Sequence, residues 1–119
     1  MIEISTIFLI LLIHWLADFT LQTHEQAIGK STDIKWLSYH VGTYTLVWFI
    51  AFFCMTGDWI KAIGFASVTG LCHWVTDFIT SRIGKPFWEK QDLHNGFVVV
   101  GFDQILHYVQ LFICYIWLS

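Results

Sequence analysis

Histidine and aspartate recur in this chain four residues apart, inside stretches that are otherwise apolar. The pairs are His14 with Asp18, His73 with Asp77 and, in reverse order, Asp103 with His107. Residues four apart lie on the same face of an α-helix, so each pair would present an imidazole and a carboxylate about one turn apart. Neutral imidazole and ionised carboxylate together are typical ligands of Zn, Mn or Fe. The pattern therefore predicts a divalent metal site.

A seventh titratable side chain, His40, lies in the remaining apolar stretch. Seven candidates exceed the three or four protein ligands of a single zinc ion, and two metal ions bridged by a carboxylate would use them better. The predicted metal ligands are the three pairs: His14, Asp18, His73, Asp77, Asp103 and His107. His40 is predicted as a further ligand or as a general base near neutral pH, and Asp103 as a ligand that also takes part in catalysis. Gln22 and Gln104 are predicted to orient a ligand, water or substrate.

Four apolar stretches must position these side chains. The chain has 119 residues, room for one domain, and is 56% hydrophobic but only 13% charged, with a mean hydropathy of +0.62. A soluble core cannot absorb that many apolar residues in so short a chain, whereas lipid can. The predicted helices cover about residues 3–23, 36–55, 59–82 and 96–118, the third stopped by Gly84 and Pro86. The fold predicted for residues 1–119 is therefore all-α, an integral membrane, up-down bundle of four transmembrane helices.

Helix direction should bring the polar side chains to one depth. Consecutive helices joined by short connections run antiparallel, so the ends of the first and third helices meet the starts of the second and fourth. Of the six basic residues, the first and third connections carry five, leaving only Lys61 on the other side: Lys30, Lys35, Arg82, Lys85 and Lys90. The positive-inside rule places these connections in the cytoplasm and both termini outside it. No Lys or Arg is expected beside the aspartates, so a bound cation, charged histidines or shared protons must balance them.

Composition and local motifs exclude several other classes. The formal net charge of −3 leaves no basic footprint for nucleic acid. The N-terminal stretch lacks the positive n-region and small-residue cleavage site of a signal peptide, so we expect it to be a mature helix. Cys54, Cys72 and Cys114 form no CxxC motif, and we expect them to pack as small apolar side chains without disulfides.

The spacing of the polar residues resembles that of a known family. The matching pattern is His14-x-x-x-Asp18-Phe19-x-x-Gln22, then His40, then His73-x-x-x-Asp77, then Phe102-Asp103-Gln104-x-x-His107. It is similar, over essentially the whole chain, to small bacterial and phage membrane proteins catalogued as domain of unknown function 3307. The resemblance implies a four-helix domain in the inner membrane of a bacterium or a phage-infected host, and no particular activity. That family often has a Lys three positions after the third-helix Asp; this chain has Thr80 there, with Arg82 as the nearby substitute.

The leading functional interpretation is a metal-dependent hydrolase that acts on a lipid or lipid-linked phosphate ester in the cytoplasmic half of the bilayer, with metal-bound water as nucleophile. Membrane lipid is the expected partner. The sequence leaves the oligomeric state open, and a homo-oligomer is one alternative. One alternative is a transporter or channel for protons or divalent ions, in which a His–Asp relay carries the ion. Another is a non-enzymatic bacterial or phage membrane effector whose His and Asp side chains only hydrogen-bond the helices together.

Overall fold

The computed structural model describes residues 2–119; Met1, the first residue of the predicted domain, lies outside the described residues. Every regular element within residues 2–119 is helical. In chain order these are α1 (Ile4–Trp15), a π-helical turn that continues it (Leu16–Thr20), the short α2 (His24–Gly29), α3 (Ile34–Thr56), α4 (Trp59–Glu89) and α5 (Leu93–Leu118). The all-α prediction is confirmed, and α3, α4 and α5 are each long and apolar enough to cross a membrane.

The three long helices pack side by side as antiparallel neighbours. Contacts pair Thr45 with Gly70 and Trp48 with Phe65 between α3 and α4, and Trp88 with Gly96 and Gln110 with Thr76 between α4 and α5. In each case a later residue of one helix meets an earlier residue of the next, as the short connections 57–58 and 90–92 require. The α1 helix packs on α3, where His14 contacts Tyr44.

The interior of the bundle is polar at one end and apolar at the other. The apolar part is built mainly from Ile10, Tyr44, Trp48, Phe52, Phe65 and Leu111. The outward faces are apolar along their whole length: α4 exposes Leu71, Val75, Ile79 and Ile83, each one turn from the next, and α5 exposes Ile105, Val109 and Ile113 in the same way. Buried polar groups inside exposed apolar faces invert the arrangement of a soluble domain.

The third predicted helix was too short, because α4 runs on to Glu89 instead of ending near Arg82. Pro86 lies within one turn of the C-terminus, where its missing N–H removes a single intrahelical bond. Packing of Trp88 against Gly96 and Phe97 of α5 stabilises these last turns. The third connection is therefore only residues 90–92, and α4 forms one wall of the space beneath the polar side chains.

The first predicted helix and the connection after it also differ from expectation. The N–H of Leu21 donates to the carbonyl of Leu16 at 3.0 Å, five residues back, so the helix widens to a π turn, a form common at functional sites. Both Ala17 and Asp18 are buried in this turn. The connection that follows contains α2, whose start is fixed by a capping box between Thr23 and Gln26.

Close packing of α3 on α4 depends on Gly70. A Cβ at this position would overlap the hydroxyl of Thr45, which donates to the carbonyl of Val41 at 2.8 Å. We expect Gly70→Ala to lower the free energy of unfolding by about 1–3 kcal/mol through overpacking. The matched control is Gly64→Ala, also in α4, where a Cβ meets nothing within 4 Å. Thermal unfolding followed by circular dichroism compares the two, and equal stability of both variants would contradict this helix contact.

Candidate metal centre

The side chains that helix direction predicted to meet do meet. They come from the π turn (Asp18), α3 (His40), α4 (His73 and Asp77) and α5 (Asp103 and His107), and all six are buried. Along the bundle they lie between the aromatic core and the connection 21–33, close to the middle of α4 and α5. Four separate elements therefore supply one cluster, which we call the His/Asp cluster.

Four residues of the cluster, Asp18, His40, His73 and Asp77, offer ligand atoms that all lie within 4.8 Å of one another. The Nε2 atom of His40 lies 2.9 Å from Asp18 Oδ1, 3.3 Å from Asp77 Oδ2 and 3.2 Å from His73 Nε2. The Nε2 atom of His73 lies 3.3 Å from Asp18 Oδ1 and 3.1 Å from Asp77 Oδ2. Tetrahedral N and O ligands about 2.05 Å from a metal are separated by about 3.3 Å. Five of the six separations in this group, from 2.9 to 3.3 Å, are therefore close to those of a tetrahedral ligand set.

A second group, Asp18, Asp103 and His107, could also hold a metal ion. The Nε2 atom of His107 lies 3.1 Å from Asp103 Oδ2 and 3.1 Å from Asp77 Oδ1. Asp18 belongs to both groups, and the two oxygens of Asp77 face one group each. Carboxylates shared in this way are the arrangement that a two-metal site uses.

Stacking orients the imidazole rings of the cluster. His73 stacks on Tyr44 at a centroid distance of 3.9 Å on one side and on His107 at 4.0 Å on the other. The Nδ1 atoms of His40, His73 and His107 have no hydrogen-bond partner among residues 2–119. All the polar contacts of these three rings are therefore made by Nε2, which points at the carboxylates.

His14, which the sequence predicted as a metal ligand, lies beside both groups and belongs to neither. Its Nε2–H donates to the side-chain carbonyl of Gln104 at 2.7 Å, and the Tyr44 hydroxyl lies 3.2 Å from its Nδ1. The amide nitrogen of Gln104 donates to Asp18 Oδ2 and to Asp103 Oδ2, each at 3.0 Å. Because an amide oxygen can only accept, Nε2 of His14 is engaged as a donor, and His14 positions Gln104 instead of offering a lone pair.

The expectation that no cation lies beside the aspartates is wrong. Lys30, at the C-terminus of α2, brings its Nζ to 3.4 Å from Asp77 Oδ2 and donates to Gln22 Oε1 at 3.1 Å. Burial lowers the pKa of Lys30, but the three cluster carboxylates outweigh burial and raise that pKa above its ordinary value. Three carboxylates against one ammonium still leave two negative charges when the imidazoles are neutral, which is the charge that one divalent cation balances.

Arg82, expected as the substitute cation, has a different role. Its guanidinium donates to the carbonyl of Phe78 at 3.0 Å and to that of Lys30 at 3.5 Å, and it lies 3.8 Å from the centroid of the Phe78 ring. Thr80, in the place where the family often has Lys, donates to Asp103 Oδ1 at 2.5 Å. The cation of the cluster is thus Lys30, and Arg82 holds the backbone that carries it.

A cavity of about 570 Å³ lies against the cluster, within the size range of small-molecule sites, about 300–1,000 Å³. It lies between the π turn and α2 on one side and the facing ends of α4 and α5 on the other. Its polar lining includes Asp18, Asp77, Asp103, Lys30, Ser81 and Gln104. A molecule in this cavity would therefore touch carboxylates of both ligand groups. Gln22, predicted to orient a substrate, also lines this cavity, where it accepts the hydrogen bond from Lys30.

Residues 6–119 match the sequence model of a family described as "Protein of unknown function (DUF3307)". The chain belongs to this family. The resemblance carried by the His and Asp spacing is thereby confirmed. No curated protein and no solved structure matches the chain. Since the DUF3307 description names no activity, the geometry of the site has to carry the functional argument.

The Tyr44 hydroxyl is expected to contribute to stability, because it is the hydrogen-bond partner of the buried Nδ1 of His14. Tyr44→Phe leaves that nitrogen unpaired, so we expect a loss of about 1–3 kcal/mol in the free energy of unfolding. Tyr108→Phe is the matched control, since this ring also packs edge-on against His14 and its hydroxyl makes no hydrogen bond within residues 2–119. Denaturant unfolding measures both, and a Tyr44→Phe variant as stable as the control would refute the assigned hydrogen bond.

Proposed function

We propose that the chain is an integral membrane protein that binds divalent metal at the His/Asp cluster and hydrolyses a lipid or lipid-linked phosphate ester there. The observation that carries the proposal is the set of four buried N and O atoms with tetrahedral separations, in a cluster that lacks two positive charges. Isolated buried carboxylates are costly in an apolar environment, and a metal ion offsets that cost.

Helix length and surface support the membrane assignment. The 23 residues of α3 make a helix of about 34 Å, enough for a hydrocarbon core of about 30 Å. The 17 residues from Ile4 to Thr20 give about 26 Å on the same rise per residue, short but close to a span. With these four segments in an up-down arrangement, the connections rich in Lys and Arg face the cytoplasm and both termini lie outside it. Membrane lipid is then the natural partner.

The two ligand groups would hold metal differently. Asp18, His40, His73 and Asp77 fill all four positions of a tetrahedron, as in closed structural sites, whereas a three-ligand group leaves a position for water, as in catalytic ones. The three-ligand group, Asp18, Asp103 and His107, includes two residues that line the cavity. His and Asp ligands suit Zn, Mn or Fe. His40 lies inside the four-atom group, which favours its predicted ligand role over that of a base.

A metal at the open position would lower the pKa of bound water and stabilise the charge that develops on the ester. Side chains around the site position the Asp103 carboxylate. Thr80 and Gln104 hold the two oxygens of Asp103 from opposite sides, and Asp103 lies on the cavity wall. Asp103 is therefore the residue we assign to receive the proton of the attacking water.

Transport is the less favoured function because the route beyond the cluster is apolar. The Phe52 and Phe65 rings stack at a centroid distance of 4.2 Å, and Trp48 packs on Phe65 at 5.3 Å. All three side chains are fully buried. An ion that left the cluster toward the other end of the bundle would have to displace these rings, whereas a hydrolase needs access from the cavity side alone.

Metal content of the purified protein, measured by elemental analysis in detergent, tests the proposal. We expect one or two divalent ions per chain; His40→Ala should lose the ion of the four-ligand group, because that group loses a ligand. His107→Ala should lose only the ion of the three-ligand group. His24→Ala, an exposed histidine of α2, is the matched control and should keep the wild-type content. A folded wild-type protein without stoichiometric metal would rule the proposal out.

The reaction itself is tested by phosphate release from a phosphatidic acid substrate in mixed micelles. We expect metal-dependent release that Asp103→Asn reduces by about 100-fold or more, the usual contribution of a positioned acid or base. The same preparation in proteoliposomes with an imposed metal gradient tests transport. Ion flux together with bound metal, and no hydrolysis across several phosphate esters, would favour the transporter.

A further inference from the structure

Beside the carboxylates, the cavity lining includes two side chains that can donate hydrogen bonds, Lys30 and Ser81. We propose that Lys30 and Ser81 bind the phosphate group of an amphiphilic phosphate ester, beside the metal position. The inference rests on the proposed function and deepens it, since it names which residues recognise the substrate and which chemical class they select.

The Lys30 side chain is more buried, and its backbone more firmly fixed, than is usual for a surface lysine. Its side chain is 21% exposed, against 43% for Lys85, which lines the cavity from α4. Its backbone carbonyl receives the Arg82 guanidinium at 3.5 Å, and its helix is fixed at the start by the Thr23–Gln26 capping box. The ammonium has three donors, of which Gln22 and Asp77 take two. One N–H is therefore left for the cavity that Lys30 lines.

Ser81 is the second and independent observation. Its hydroxyl is buried and has no hydrogen-bond partner among residues 2–119, although a helical serine can usually bond a carbonyl one turn back. The residue lines the same cavity as Lys30. Because an unpaired buried hydroxyl is costly, a ligand oxygen at this place would stabilise it.

Metal and ammonium compete for the same oxygen. Asp77 Oδ2 belongs to the four-atom group and is also the atom that Lys30 Nζ approaches at 3.4 Å. A divalent ion bound to that oxygen would repel the ammonium, which would then lack an anionic partner. A phosphate that contacts the ammonium and the metal of the open three-ligand group would balance both charges, and such clamps of metal and Lys are a common way to hold a phosphoryl group.

The rest of the cavity selects an apolar body. A phosphate group would occupy only a small part of about 570 Å³. The remaining wall includes Phe19, Ile28, Trp88 and Val99, and the first three of these are also partly exposed on the outer surface. A ligand with a phosphate head and an acyl or prenyl tail would fill both parts, whereas free phosphate would fill only one.

Calorimetric titration of the metal-loaded protein in detergent tests the inference, with inorganic phosphate and dihexanoyl phosphatidic acid as separate probes. We expect Lys30→Met to weaken binding of both by about tenfold or more, since it removes a charge-assisted hydrogen bond, while metal content stays at the wild-type level. Ser81→Ala should act in the same direction more weakly. Lys85→Met is the matched control, because Lys85 pairs with Glu89 at 3.4 Å, and it should bind as the wild type does.

Tighter binding of the lipid than of phosphate would support an amphiphilic ligand. Equal affinities would overturn the claim that the cavity selects an apolar tail. Unchanged affinity for both probes in a Lys30→Met variant that keeps its metal would overturn the anion site. If the wild-type protein held no metal, the proposed function would fail separately. The comparison of Lys30→Met with wild type on that protein would then still decide whether Lys30 binds the anion.

Discussion

Charge balance inside an apolar bundle constrains everything else in this chain. Three carboxylates are buried where the surrounding helix faces are apolar, and among residues 2–119 one ammonium, that of Lys30, lies within reach of them. An unbalanced charge in such a place costs several kcal/mol, so the cluster is stable only with a cation or with protonated imidazoles. The position of α2 serves this requirement, because Lys30 at its C-terminus pairs with Asp77.

One chain of hydrogen bonds links two of the carboxylates. It runs from the Tyr44 hydroxyl through His14 to the amide of Gln104, which then donates to Asp18 and Asp103. Both hydrogens of the amide are used, so its orientation and the tautomer of His14 fix each other. The apolar core on one side and the cavity on the other then allow access to the carboxylates from one direction only. Tyr44, His14 and Gln104 thus orient the carboxylates without binding the metal themselves, as the residues that hydrogen-bond to metal ligands commonly do.

The sequence allowed the apolar helices and the convergence of the His and Asp side chains to be predicted, because the spacing of four residues and the alternation of helix direction are local properties. It did not allow Lys30 to be assigned to the cluster, since nothing near Lys30 in sequence indicates that α2 folds back beneath Asp77. His14 was assigned as a ligand because its spacing to Asp18 equals that of His73 to Asp77; only the partner on α5, Gln104, distinguishes them. The end of α4 was missed because tertiary packing of Trp88 outweighs the local effect of Pro86.

X-ray absorption spectroscopy at the metal edge of the purified protein tests the central claim most directly, because it reports the ligands themselves. For zinc, the account predicts N and O ligands only, at about 2.0–2.1 Å, with the outer-shell scattering of two imidazoles at the four-atom site, His40 and His73, and a loss of imidazole signal in His40→Ala. A shell of water oxygens without imidazole, or sulfur at about 2.3 Å, would contradict it.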